Sequence, residues 1–368
     1  MSRPIKWMLL VCSFFGLGTA IVTPTPAADL PPNWPWRGIV MTSAASPNEK
    51  DIEYLSSINV NAVELQLEAR FSAQRDKLTP EESLSRALIT ADRILDACKK
   101  YQMTVIISIS QIPVNPRSGL TQESPEFWEN PEKREEAVVI AKMLADHFKN
   151  RGAELGAYEI LNEPLIRSRN RLERPAAWPS LFASIVKEIR KHDPKRYIVV
   201  TPGPGGLAIG YRNFKPIDDQ RIIYGMHMYE PMQFTHQGIY EFPLGIFYPG
   251  VASLQYWDQK ALERVMWPLI EFQNKYNVLV WVGEFSAARW AKGSDQYLKD
   301  LIGLFDKHGW GWTYFMYKGW HGWSPDFDSE YSSNEDARKH YIGNNSERWN
   351  LLRDIFTKNT ISGTAKQK

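Results

Sequence analysis

The chain has 368 residues, with 44 Lys and Arg against 42 Asp and Glu and a formal charge of +2. No long-range field therefore favours nucleic acid or an anionic membrane, and the expected ligand is neutral. The length suits one domain with elaborated loops and a sizeable core.

Residues 1–20 place Arg3 and Lys6 before an apolar run from Trp7 to Leu17, then Gly18-Thr19-Ala20. That order predicts a secretory signal cleaved after Ala20, and hence a secreted or periplasmic protein. The run is too short for a membrane span, and Thr23-Pro24-Thr25-Pro26 cannot continue a helix. Losing Arg3 and Lys6 from a charge of +2 leaves the processed chain neutral. Cys12 leaves with the signal, so Cys98 has no intramolecular partner and reads as a buried, inert thiol.

A Pro-rich segment, 21–35, leads into a domain expected over 36–356, followed by a polar tail, 357–368, expected to be disordered. Within the domain, β-branched runs alternate with helical patterns. The predicted strands are 38–42, 62–67, 104–109, 157–161, 197–201, 222–227, 278–282 and 311–316. Helical patterns such as 80–100, 131–149, 178–192, 258–276 and 295–308 lie between them. About eight βα units predict an α/β fold, a closed (β/α)8 TIM barrel. The fifth unit is the weakest, because Gly203-Pro204-Gly205-Gly206 follows the strand and no clear helix fills the gap before Ile222. That glycine run lacks the Lys-Ser or Lys-Thr ending of a phosphate loop and reads as a turn. No His-x-x-x-His pair or Cys cluster has metal-ligand spacing, so neither metal nor cofactor is expected.

In such a barrel the C-terminal ends of the strands face one bowl, where polar residues are candidates for chemistry. The fourth strand runs into Leu161-Asn162-Glu163-Pro164, the sixth into His227-Met228-Tyr229-Glu230, and the seventh into Gly283-Glu284-Phe285. Two carboxylates facing each other from different strand ends can cleave a glycosidic bond: one protonates the leaving oxygen while the other attacks or activates water.

Asn-Glu-Pro, His-x-Tyr and Gly-Glu-Phe, in this order at strand ends, resemble glycoside hydrolase family 5, the cellulase family, over nearly all of the mature chain. The resemblance implies a retaining, endo-β-glycanase-like enzyme that acts as a monomer on an oligo- or polysaccharide. It assigns Glu163 as acid/base and Glu284 as nucleophile. Asn162 is expected to bond the sugar 2-hydroxyl, with His227 beside the acid/base and Tyr229 donating to the nucleophile. The two carboxyl groups are then expected about 5 to 5.5 Å apart.

Three positions depart from the family. Glu64 aligns with an Arg at the end of the second strand, Ser110 lies where a His ends the third, and Phe315 replaces a Trp on the eighth. A third carboxylate in the bowl calls for a cation, so Glu64 is expected to pair with Arg289 or Lys318 at the rim, as part of the sugar-binding surface. Trp320 and Trp323, with Trp290, fall in strand-end loops and suit a sugar platform, whereas Trp281 and Trp312 read as packing. A non-catalytic carbohydrate-binding barrel and a transglycosylase using the same covalent intermediate are the competing readings. Neither the particular glycan nor endo against exo action is encoded in these motifs.

Overall fold

The computed structural model describes residues 30–112, 121–168, 171–239 and 241–359. The signal 1–20, most of the Pro-rich segment and the tail beyond 359 lie outside the described residues.

Eight parallel strands close into a barrel in consecutive order. They are β1 (Arg37–Thr42), β2 (Ala62–Gln66), β3 (Thr104–Ile109), β4 (Leu155–Ile160), β5 (Tyr197–Val200), β6 (Ile222–Met228), β7 (Leu279–Phe285) and β8 (Gly311–Tyr314). The closure is β1 pairing with both β2 and β8. Helices Pro80–Lys100, Pro131–Phe148, Trp178–His192, Gln259–Tyr276 and Ser294–Lys307 cover the outside where the periodicity predicts them. Their starts are chemically marked. Thr79 and Glu82 form a reciprocal capping box before Pro80, and Asp258 caps Gln259–Tyr276 through Ala261 N. Cys98 is buried on the first of these helices, and burial raises the pKa of its thiol.

Strand alternation sorts side chains into two layers. Val63, Leu65, Val105, Ile107, Tyr158, Ile160, Ile198 and Val200 point outward into the helix-facing core, as does Trp312 on β8. The inward positions are apolar at the barrel floor, where Ala62, Ile106, Ala157, Tyr197, Val199, Ile223 and Trp281 pack on Trp36. The entry segment closes this floor. Asn61 Nδ2 donates to the carbonyls of Asn33 and Pro35, and Trp36 Nε1 donates to Pro32 O.

The upper inward positions are polar: Glu64 and Gln66 on β2, Ser108 on β3, Glu159 on β4, His227 on β6, Glu284 on β7 and Thr313 on β8. All are buried.

Two details correct the expected limits. β7 continues to Phe285 because Gly283 is a bulge: Val282 pairs with Met226 and Glu284 with His227, so two residues oppose one. The first three residues of the segment read as a tail are described, and there Asn359 Nδ2 donates to Arg37 O and Asn59 O. As the glycine run suggests, the β5–β6 connection has only a short 3-10 turn, Ala208–Tyr211.

Candidate active site

Each of three strand ends delivers its side chains by a local backbone device. At β4, Leu161 takes a left-handed φ of 67°, uncommon for a residue with a branched side chain, and this turns Asn162 and Glu163 into the bowl. At β6, His227 rests on the glycine turn. Its N–H donates to Gly206 O, and a Cβ on Gly206 would lie 2.9 Å from the ring. At β7, strict alternation puts residue 284 on the helix side. The Gly283 bulge reverses the phase, so Glu284 enters the bowl and Phe285 packs outward.

These devices bring Asn162, Glu163, His227, Tyr229 and Glu284 together. Glu284 Oε1 accepts from Asn162 Nδ2 at 3.1 Å and Gln66 Nε2 at 2.7 Å, and its Oε2 accepts from Tyr229 OH at 3.0 Å. His227 Nδ1 lies 2.7 Å from Glu163 Oε1 and 3.9 Å from Glu284 Oε2. One atom from each of Glu163, His227 and Glu284 falls within 4.8 Å of the other two. A cation would accept that spacing, and so does the carboxylate pair of a retaining mechanism.

The electrostatics follow from burial. Burial raises the Glu284 pKa and the charge of Glu163 adds to this, while His227, Gln66 and Tyr229 oppose it. Burial disfavours charge on His227, but Glu284, Glu163 and Glu159 outweigh it and push its pKa up to about 10. Among the described residues ring Nε2 has no hydrogen-bond partner, so beyond the contact of Nδ1 with Glu163 the imidazolium is held by the field of these carboxylates. Burial, then the charge of Glu284, keeps the Tyr229 hydroxyl protonated and therefore a donor.

The expected rim pair does not form. Glu64 is fully buried below the bowl, beside Gln66 and Thr313. Arg289 instead clamps the loop that returns over it, donating to His321 O, Asp328 O, Asp328 Oδ1, Glu330 O and Ser332 Oγ. Lys318 pairs with Asp51 at 2.5 Å. Both cations are committed elsewhere, so neither neutralises Glu64, and Arg289 offers no open fork to a sugar.

The aromatic residues do converge. Trp323 lies 5.8 Å from Tyr229 and 5.7 Å from Phe315 between ring centroids, and Trp320 lies 5.0 Å beyond Trp323. Trp290 stands edge-on to Trp320. Ser110 lies just past β3, its carbonyl bound by Gln122.

Four residues near the site escaped sequence reasoning. Gln66, two positions beyond Glu64 on the same face, is the β2 residue that touches Glu284. Period-2 alternation from Ala62 could have placed it on the inward face with Glu64, though not shown which of the two reaches Glu284. Glu159 lies beneath His227 and accepts from Ser108 and Thr201; burial pushes its pKa up to about 7. Glu68, past the end of β2, is pushed up to about 7 by burial and then by the charge of Glu284. His236 lies 5.2 Å from Tyr229 and 5.0 Å from Trp323 between ring centroids, and burial lowers its pKa to about 4.

A closed parallel barrel with a carboxylate pair at its C-terminal face defines a barrel glycoside hydrolase. The family model for cellulase (glycosyl hydrolase family 5) matches residues 33–320, and the chain belongs to that family. It hydrolyses O-glycosyl bonds as a glycosidase. Endoglucanase C of Acetivibrio thermocellus is 25% identical over 298 residues, which cover 73% of this chain and 83% of that protein. Cellodextrinase A of Ruminococcus flavefaciens is 23% identical over 71% of this chain and 75% of its own length. Among solved structures, a hyperthermophilic endo-β-1,4-glucanase in complex with substrate superposes with a TM-score of 0.63. It shares 21% identity, covering 86% of this chain and 96% of that one. Thermotoga maritima Cel5A with mannotriose gives 0.62 at 22% identity, covering 82% and 96%. No described helix is long and apolar enough to cross a membrane.

Proposed function

We propose that the chain cleaves a β-glucan by double displacement, with Glu284 as nucleophile and Glu163 as acid/base. The observation that supports this mechanism is the spacing: an oxygen of each carboxylate lies within 4.8 Å of the other beside His227, which suits the close pair of a retaining site better than the wider pair of an inverting one. Glu284 Oε attacks the anomeric carbon as the bond to the leaving oxygen breaks, and Glu163 gives that oxygen its proton. Water then yields a proton to the Glu163 carboxylate, and its oxygen displaces Glu284 from the same carbon. Asn162 and Tyr229 hold the attacking carboxylate, and the Trp323, Phe315 and Tyr229 rings form the wall on which a sugar face stacks.

Glucan is favoured by the names of the curated relatives, which are endoglucanases and a cellodextrinase. A mere binder has no use for three donors aimed at one buried carboxylate. The reading includes export through residues 1–20 and action as a monomer. A mature N-terminus found by mass spectrometry to retain Met1 would remove the export step.

The test of the chemistry is trapping. A 2-deoxy-2-fluoro-β-cellobioside with a dinitrophenyl leaving group should label the peptide containing Glu284, and proton NMR of turnover should show the β-anomer formed first. Label on another residue, or an α-anomer as first product, overturns the assignment.

A further inference from the structure

Gln66 and Glu64 occupy the place beneath the nucleophile where the family resemblance leads one to expect a cation. Their hydrogen bonds can be counted. The two amide hydrogens of Gln66 go to Glu284 Oε1 at 2.7 Å and Glu64 Oε1 at 3.1 Å. The hydroxyl of Thr313 has one hydrogen, and Gly283 O lies 2.6 Å from its oxygen. Glu64 Oε2 lies 3.3 Å from the same oxygen. With the Thr313 proton given to Gly283, the contact with Glu64 is a hydrogen bond only if Glu64 Oε2 carries a proton and donates it.

We infer that Glu64 is a neutral carboxylic acid which, donating to Thr313 and accepting from Gln66, fixes the Gln66 amide as a positioning donor for Glu284. This rests on the reading of Glu284 as nucleophile.

The surroundings of Glu64 agree. Its register neighbours are Val40 on β1 and Ile106 on β3, neither of which can solvate a charge. The titratable groups facing it are Glu159 from β4, Glu284 from β7 and His227 from β6; the first two repel an anion and the third favours one. Burial is the largest influence, and the balance raises its pKa well above the usual carboxylate range. Glu284 in turn faces Glu64, Glu163, His227 and Tyr229, and its charge also reaches Glu68. An ionised Glu64 would therefore add repulsion to a nucleophile that already lacks a cationic partner from β2. A neutral acid adds none, and it holds the amide that the nucleophile needs. The chain Gly283–Thr313–Glu64–Gln66–Glu284 also ties the β7 bulge to the carboxylate that the bulge delivers.

The test uses Glu64→Gln, Glu64→Ala and Gln66→Ala in the mature protein. At about pH 9, above the pKa of an ordinary carboxylate, infrared spectra of the wild type should still show the carbonyl stretch of a protonated acid, absent from Glu64→Gln. In turnover of a soluble β-glucan, Gln66→Ala should lower kcat about 10- to 100-fold with KM nearly unchanged. It should also move the acidic limb to higher pH, because the carboxylate loses a donor. Glu64→Ala should do the same to a lesser degree, and Glu64→Gln should restore both kcat and the limb, since an amide can fill both hydrogen-bond roles. A band that persists in Glu64→Gln, an acidic limb that falls in that variant, or a folded Gln66→Ala with unchanged kcat and limb overturns the inference. If the trapping experiment labels another residue while the infrared band is lost as expected, Glu64 is a buried acid and only the assignment of Glu284 has failed.

Discussion

The barrel interior has two halves built by the strand alternation, which the Gly283 bulge resets on β7. The lower half is Trp36, Trp281, Tyr197 and small or β-branched residues, packed without a charged side chain among them. The upper half holds Glu64, Glu159, Glu284 and His227, all buried. The same inward positions thus serve opposite ends: the floor contributes burial free energy, and the upper layer spends part of it holding groups that water would rather keep. The contrast continues between the two catalytic candidates. The Glu284 side chain is 10% exposed and takes three neutral donors, whereas that of Glu163 is 38% exposed and has His227 as its partner. An attacking group gains from being fixed; a proton donor must meet a leaving group and then water.

The sharpest way to test this contrast is to remove the exposed partner. Glu163→Ala should cost about 10²- to 10⁴-fold in kcat on a β-glucan, the range of general acid catalysis. On an aryl β-glycoside with a dinitrophenyl leaving group the first step should fall far less, because that leaving group needs no proton. Equal losses on both substrates would show that Glu163 acts through structure and not as the acid.

The lower half is broken by Trp281→Ala. The side chain is fully buried between the floor residues and stands edge-on to Trp36. Its loss should lower stability by about 3–5 kcal/mol in urea denaturation. A change under about 1 kcal/mol would mean that the floor relaxes to fill the space and does not carry the burial assigned to it.

Much of this was legible in the chain itself. The eight strands are legible as short, largely apolar runs, because parallel barrel strands are buried on both faces. The site motifs at β4, β6 and β7 could be found because each follows such a run. The height of a residue on its strand could not be read in the same way. Glu64 and Gln66 share a face, and which of them reaches Glu284 depends on strand stagger, which closure of the whole barrel fixes. The Gly283 bulge was equally hidden: an isolated glycine in a strand hints at a bulge without saying which way the next side chain turns. Arg289 looked like a free rim cation because its partners, Asp328 to Ser332, arrive from a loop about forty residues later. The proximity of Trp320 and Trp323 was easier to read, since they are close enough in sequence for one loop to bring them together.

Glu159 lies just below the catalytic candidates and shows what the upper half costs. Burial raises its pKa to about 7, with Glu284 adding to the shift and His227, Thr201 and Ser108 opposing it. In the unfolded chain a Glu ionises near its ordinary value of about 4.3. Since the folded pKa is the higher, stability is fully present below the unfolded value and is lost as pH rises through the folded one. Gln at 159 cannot ionise, and its amide suits the two hydroxyls that now donate to the carboxylate, Ser108 at 3.1 Å and Thr201 at 2.6 Å. Glu159→Gln should therefore match the wild type at about pH 4 and exceed it by on the order of 2 kcal/mol at about pH 6. The comparison belongs below about pH 6.5, because there the native Glu159 is largely protonated and its replacement takes no charge from His227. At higher pH the loss of that charge weakens the hold on the imidazolium and works in the opposite direction. Urea denaturation of both proteins across this window decides the matter. Parallel stability curves would show that Glu159 is already ionised in the folded protein at low pH, and that the upper half holds its charges more cheaply than its burial implies.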